Sequence, residues 1–138
     1  MRQAQDILTV ATRGIGLVEI TTEVAAWLRP QGMATGLLTL FCRHTSASLL
    51  IQENADPDVR TDIEAYFTRI APEGSDYVHD SEGPDDMPAH LRTALTQTSL
   101  TIPLAGGRMV LGTWQGVYLF EHRLRPHRRE VVLHLIGE

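Results

Sequence analysis

Cysteine is almost missing: Cys42 is the single thiol in 138 residues. A lone cysteine excludes an intramolecular disulfide framework, and a chain of this length buries a substantial core without such staples. A reducing compartment, with the cytoplasm as the default, is the expectation. Long apolar runs are missing too. Before Arg13 only Ile7 to Ala11 is mostly apolar, too short for a secretory signal core, and nothing approaches a membrane-spanning length, so no membrane partner is expected. Positive charge is sparse, with 12 Lys and Arg against 17 Asp and Glu for a formal net charge of −5. The arginines of "HRLRPHRRE", residues 122 to 130, make no broad basic stripe and read as a solvated turn between strands; no nucleic-acid partner is expected. Repeats and low-complexity tracts are absent, which leaves one domain, residues 1–138.

What is present is a change of period along the chain. "ITTEVAAWLRPQG" places Ile20, Val24, Trp27 and Leu28 on one helical face, with Pro30 and Gly32 as the stop. "ADPDVRTDIEAYFTRIAP" begins with Asp56 as a cap and Pro57 at the first helical position, and Val59, Ile63, Phe67 and Ile70 share a side. A third helix begins near "DDMPAHLRTALTQ", capped by Asp85 or Asp86. Alternation by two then marks strands in "TGLLTLFCRH", "SLTIPL", "RMVLGTWQGVYLFEH" and "REVVLHLIGE". Strands outnumber helices and the last ones are joined by short connections. The fold class is therefore α+β, a mostly antiparallel sheet with about three helices on one face.

The chemistry-bearing residues gather around two stretches. "CRHTSASLLIQENADPD", residues 42 to 58, sets a histidine, hydroxyls and acids beside an apolar run, and residues 72 to 88 hold six carboxylates with no Lys or Arg. A loop of that length in a compact domain is usually functional or disordered. His44 ends a strand, His79 lies in the acidic loop and His90 opens the third helix. If they converge, three imidazoles suit zinc or another divalent ion with a position left open, and Glu53, Asp56, Asp80, Glu82, Asp85 and Asp86 are available to orient them or act as base. The spacing matches no short metal signature, so solvated or hydrogen-bonded histidines are the competing reading. Thr45, Ser46 and Ser48 follow no G-x-S-x-G elbow; they either hold an anion or finish the hydrogen bonding of a turn. In "GTWQG", residues 112 to 116, Trp114 and Gln115 are either pocket lining or, for the Trp, core beside a bulge. Cys42 is either a ligand on the face of His44 or an apolar filler.

Taken together, "HTSASLLIQENADPDV", the His of "YVHD", "DDMPAHL" and above all "SLTIPLAGGRMVLGTWQGVYLFEHR" resemble the YjbQ-like family, described as secondary thiamine-phosphate synthases, over nearly the whole chain. The resemblance implies an α+β homotrimer and a shared polar or metal-binding pocket at His44, His79 and His90. It also implies the joining of a pyrimidine pyrophosphate to a thiazole phosphate with release of pyrophosphate. The expectation is a small enzyme acting on a phosphorylated or otherwise anionic small molecule. His44, His79 and His90 would hold a divalent metal, zinc or, with a phosphorylated substrate, magnesium. Glu53 or Asp56 would be the base, Thr45 and Ser46 would position the anion, and Trp114 and Gln115 would line the pocket. The rival from another class is a noncatalytic trimer that binds a metabolite or metal without turnover.

Overall fold

Alternating apolar residues drive eight segments into strands, which the computed structural model, describing residues 1–74 and 76–138, arranges as two antiparallel sheets. The order is β1 (Arg2–Ala11), β2 (Gly16–Glu19), α1 (Thr21–Leu28), β3 (Gly36–Cys42), β4 (Ala47–Glu53), α2 (Pro57–Ile70), α3 (Asp86–Leu95), β5 (Ser99–Ala105), β6 (Arg108–Met109), β7 (Gln115–Glu121) and β8 (Arg128–Gly137). The larger sheet runs β1-β8-β3-β5-β6 and the smaller β2-β7-β4. No helix is long and apolar enough to cross a membrane among the described residues.

The period of two decides which residues meet. Leu38, Leu40 and Cys42 of β3, Leu100, Ile102 and Leu104 of β5, and Val131, Leu133 and Leu135 of β8 all point to the buried face of the larger sheet. Against them pack Ala47 and Leu49 of β4, Val117 and Leu119 of β7, and Val24 and Leu28 of α1. Each such fully buried aliphatic side chain stabilises the fold by about 1.5–3 kcal/mol before chain entropy is counted. The second face of the smaller sheet carries Ser48, Tyr118 and Phe120, also buried, with Phe67 of α2 set edge-on to Phe120 at 5.4 Å between centroids. The result is three layers: the large sheet, the small sheet with α1, and the α2 and α3 layer.

The class is α+β as expected, with helices α2 and α3 on one side, but the expected single sheet is divided in two. The reason lies in β4, whose first residues Ala47, Ser48 and Leu49 are all buried because one face meets the core and the other meets helices. Alternation by two is erased in a strand covered on both sides. Pro57 opens α2 and the Asp56 carboxylate accepts from the Asp58 N–H at 2.9 Å, as its sequence signals require. At Gly36, where β3 lies between β5 and β8, a Cβ would stand 2.5 Å from the Ile136 carbonyl oxygen, so a side chain has no room there.

Candidate functional site

The β4–β7 ladder sets the positions of the expected site residues. Ala47 pairs with Glu121 at one end and Glu53 with Gln115 at the other, and six steps of strand separate the two ends by about 20 Å. His44, Thr45 and Ser46 precede the first end; Glu53, Asp56, Trp114 and Gln115 gather at the second.

At the first end, α3 carries Asp86 and His90 four residues apart and so on one face. The acidic loop brings His79 and Glu82 to that face, and one ligating atom from each of the four residues lies within 4.8 Å of the others. Asp86 is 2% exposed. Its Oδ2 is 2.7 Å from His79 Nε2 and 3.1 Å from His90 Nε2, and Glu82 Oε2 is 3.4 Å from His79 Nε2. The other oxygen, Oδ1, accepts from Arg123 Nη1 at 2.6 Å. Arg123 also donates through Nε to Asp85 Oδ2 at 2.9 Å and through Nη2 to the Glu82 carbonyl at 2.9 Å. One guanidinium thus fixes both aspartates and the loop. Burial alone pushes the Asp86 carboxyl up, but the hydrogen bond with His79 and the guanidinium of Arg123 hold it below the ordinary range, so it is a carboxylate. The same bond with Asp86 raises the His79 imidazole.

His90 has a further contact that constrains its chemistry. Its Nδ1 lies 3.0 Å from the Thr45 carbonyl oxygen, and a carbonyl only accepts. Nδ1 therefore carries a proton, which leaves Nε2 as the nitrogen whose lone pair is directed toward Asp86 Oδ2. Two acceptors at 3.1 Å repel unless a cation, either a proton or a metal ion, lies between them.

His44 is not part of this group. β3 ends at Cys42, and the His44 ring turns toward β8, where Nε2 accepts from the Glu130 N–H at 2.7 Å. Within the chain, the expected set of three imidazoles is a pair, His79 and His90, completed by carboxylates. Ser46 is occupied as well: its hydroxyl and carbonyl oxygens accept from Arg129 Nη2 at 3.0 and 3.1 Å. Arg129 is buried against Glu121, with Nε to Oε1 at 2.8 Å. Burial acts to raise Glu121, and the bonds from Arg129 and Thr12 overcome it and lower the carboxyl.

At the second end, Glu53 and Asp56 organise the start of α2, since Glu53 Oε2 accepts from the Asp56 N–H at 3.0 Å and Asp56 caps the helix. Gln115 Oε1 accepts from the Gly112 N–H at 2.8 Å. Trp114 is 62% exposed, which overturns the core reading of its ring. Cys42 is buried and its thiol is pushed up to about 11 by desolvation, as an apolar filler requires. The arginine segment is not simply a solvated turn: Arg123 and Arg129 face inward and hold carboxylates. For Arg129 a signal existed, because the inward register of Val131, Leu133 and Leu135 extends back to it. For Arg123, which lies between strands, none did.

The model of the "UPF0047 protein YjbQ-like" family matches residues 6–138 of the chain. The chain belongs to this family. A YjbQ-like relative from Synechocystis sp., named as a UPF0047 protein, is 56% identical over 138 residues, covering 99% of this chain and 94% of that protein. The UPF0047 protein YjbQ of Escherichia coli is 42% identical over 135 residues, covering 97% of this chain and 98% of its own. The crystal structure of a conserved hypothetical protein from Thermus thermophilus shares the YjbQ-like fold with a TM-score of 0.85 at 37% identity, over 95% of this chain and 99% of that one. None of these names states an activity, so the chemistry of the site rests on its geometry.

Proposed function

We propose that the protein binds one divalent transition-metal ion through His79 Nε2, Asp86 Oδ2 and His90 Nε2, with Glu82 within reach, and uses it on a phosphorylated or otherwise anionic small molecule. The observation that carries this reading is the His90 ring, proton-bearing at Nδ1 against the Thr45 carbonyl and facing a carboxylate oxygen with Nε2. That is the tautomer and second-nitrogen partner that metal-bound histidines take, and Arg123 on the far oxygen of Asp86 is the matching outer support. Two imidazoles with carboxylates favour zinc over magnesium, which prefers an all-oxygen set. Three protein ligands leave a position open for water or substrate, where the ion would polarise a phosphoryl oxygen or neutralise a departing pyrophosphate. The thiamine-phosphate synthase reaction implied by resemblance is of that kind and is the first to assay.

Glu53, Asp56, Trp114 and Gln115 lie too far along the ladder to serve the centre of their own chain, so a role for them there requires a neighbouring subunit. The uncovered face of the large sheet, with Ile7, Leu37, Phe41 and Ile136 each more than a third exposed, supports assembly with further copies as a homotrimer. Elemental analysis of purified protein tests the central reading. One zinc per chain is expected, lost in His90→Ala and Asp86→Asn while circular dichroism stays unchanged; full metal content in both variants would end it. Consumption of the pyrimidine pyrophosphate and thiazole phosphate by zinc-loaded protein separates an enzyme from a noncatalytic binder.

A further inference from the structure

We infer that His44 is a hydrogen-bond donor of fixed tautomer, presenting Nδ1–H to an anionic oxygen in the cavity beside β3, and is not a ligand of the metal. The inference rests on the reading that the adjacent centre handles an anionic small molecule. Its starting point is the 2.7 Å contact between the Glu130 N–H and His44 Nε2. An amide N–H only donates, so Nε2 must keep its lone pair and the ring proton sits on Nδ1. A shift of the proton to Nε2 would set two donors against each other at that distance. A metal at Nδ1 would force either this clash or an imidazolate. Desolvation, aided by the charge of Arg129, lowers the basicity of the ring against the opposing pull of Glu130 and Glu121, which keeps it neutral near pH 7.

The cavity is about 650 Å³, with Phe41 on one side and Arg43, His44, Thr45 and Thr98 supplying donors; among the described residues no acidic one lines it. Arg43 is half exposed and only loosely paired, 3.7 Å from Glu130, so its guanidinium is available. The Thr45 and Thr98 hydroxyls have no side-chain or backbone partner among the described residues, whereas the Ser46 hydroxyl is held by Arg129. A set of neutral donors with one half-exposed cation and an aromatic wall fits a phosphate or carboxylate oxygen, and charge-assisted bonds of this kind are the strong ones. Thr45 joins the two places: its side chain lines the cavity while its carbonyl orients His90. An anion held by His44 and Arg43 would thus lie one residue from the metal centre.

The test is long-range proton–nitrogen NMR on the full chain labelled at histidine nitrogens. His44 should show the Nδ1–H pattern at neutral pH and keep it when one equivalent of zinc is added. Inorganic phosphate and acetate, titrated in separate arms at constant ionic strength, should move the His44 Nδ1 signal in a saturable way, and the arm that saturates at lower concentration identifies a phosphate or a carboxylate ligand. Arg43→Gln should raise the half-saturating concentration about tenfold, and His44→Ala, followed by calorimetry because the reporting ring is gone, should abolish anion binding while leaving zinc content intact. An Nε2–H pattern, a zinc-induced shift of His44 nitrogen, or no saturable response to either anion would overturn the assignment. If zinc shifts no histidine at all, the metal reading fails, and the tautomer and the anion titrations still decide the role of His44.

Discussion

Acidification from about pH 7.5 to pH 4 should remove roughly 3 kcal/mol of folding stability through His122 alone. The ring is fully buried, tilted by 46° against Phe120 with centroids 4.3 Å apart, with Nε2 2.9 Å from the Ser48 hydroxyl and no protein partner on Nδ1 among the described residues. Desolvation first, then the charge of Arg92, lower its pKa from 6.5 to about 3, while the opposing pull of Glu121 is partly offset by Arg129. The folded value lies below the unfolded one, so the full contribution is present above about pH 6.5. It is lost as pH falls toward 3, because the unfolded chain takes up a proton that the fold refuses. Each pH unit inside that window is worth about 1.4 kcal/mol, and by pH 4 some 2.5 units have been crossed, which gives the figure above. Against a typical total of about 5–15 kcal/mol the loss is large. Urea denaturation at several pH values checks it by comparison with His122→Gln, in which nothing titrates at that position and other acid-sensitive groups cancel. The wild type should lose stability on acidification more steeply than the variant, and the folded ring should show no titration in NMR above about pH 4.5. Parallel stability curves for the two proteins, or a folded His122 that titrates near 6.5, would refute the reasoning.

Three further outcomes follow from the packing and the site. Arg123→Ala removes the donor shared by Asp85, Asp86 and the Glu82 carbonyl, and should weaken zinc binding by about 10- to 100-fold in a chelator competition, with little change if the residue is incidental. Gly36→Ala forces a Cβ against the Ile136 carbonyl oxygen and should cost about 1–3 kcal/mol in urea denaturation; a neutral variant would contradict the close approach of β3 and β8. Phe41→Asp, on the uncovered face of the large sheet, should dissociate the proposed homotrimer in sedimentation while leaving the secondary structure unchanged, and a sedimentation profile identical to the wild type would contradict a subunit contact on this face.

Legibility in the sequence followed how local the cause was. α2 could be read because Asp56 and Pro57 act within one turn, and β3, β5 and β8 because one face meets the core and the other does not. β4 could not, since its two faces are covered by different layers and its sequence shows only an apolar run. β1 pairs with β8 along its whole length yet is mostly exposed and opens on a polar run, so its place at the sheet edge depends on its partner more than on its own pattern. At the site, residue type alone points to His79 and His90, and Asp86 is among the carboxylates close enough in sequence to support them. The exclusion of His44 depends on where the Glu130 N–H falls on a strand more than eighty residues away, which no spacing encodes. The same holds for Glu53, Asp56, Trp114 and Gln115, which neighbour the histidines in motif but are set at the other end of a strand by its length.

The most direct measurement is an anomalous-difference map of zinc-loaded crystals recorded above and below the zinc edge. A single strong peak bounded by His79 Nε2, Asp86 Oδ2 and His90 Nε2, about 2.0–2.2 Å from each, is the predicted result. A peak coordinated by His44, or no peak at the His79 and His90 rings, would contradict it.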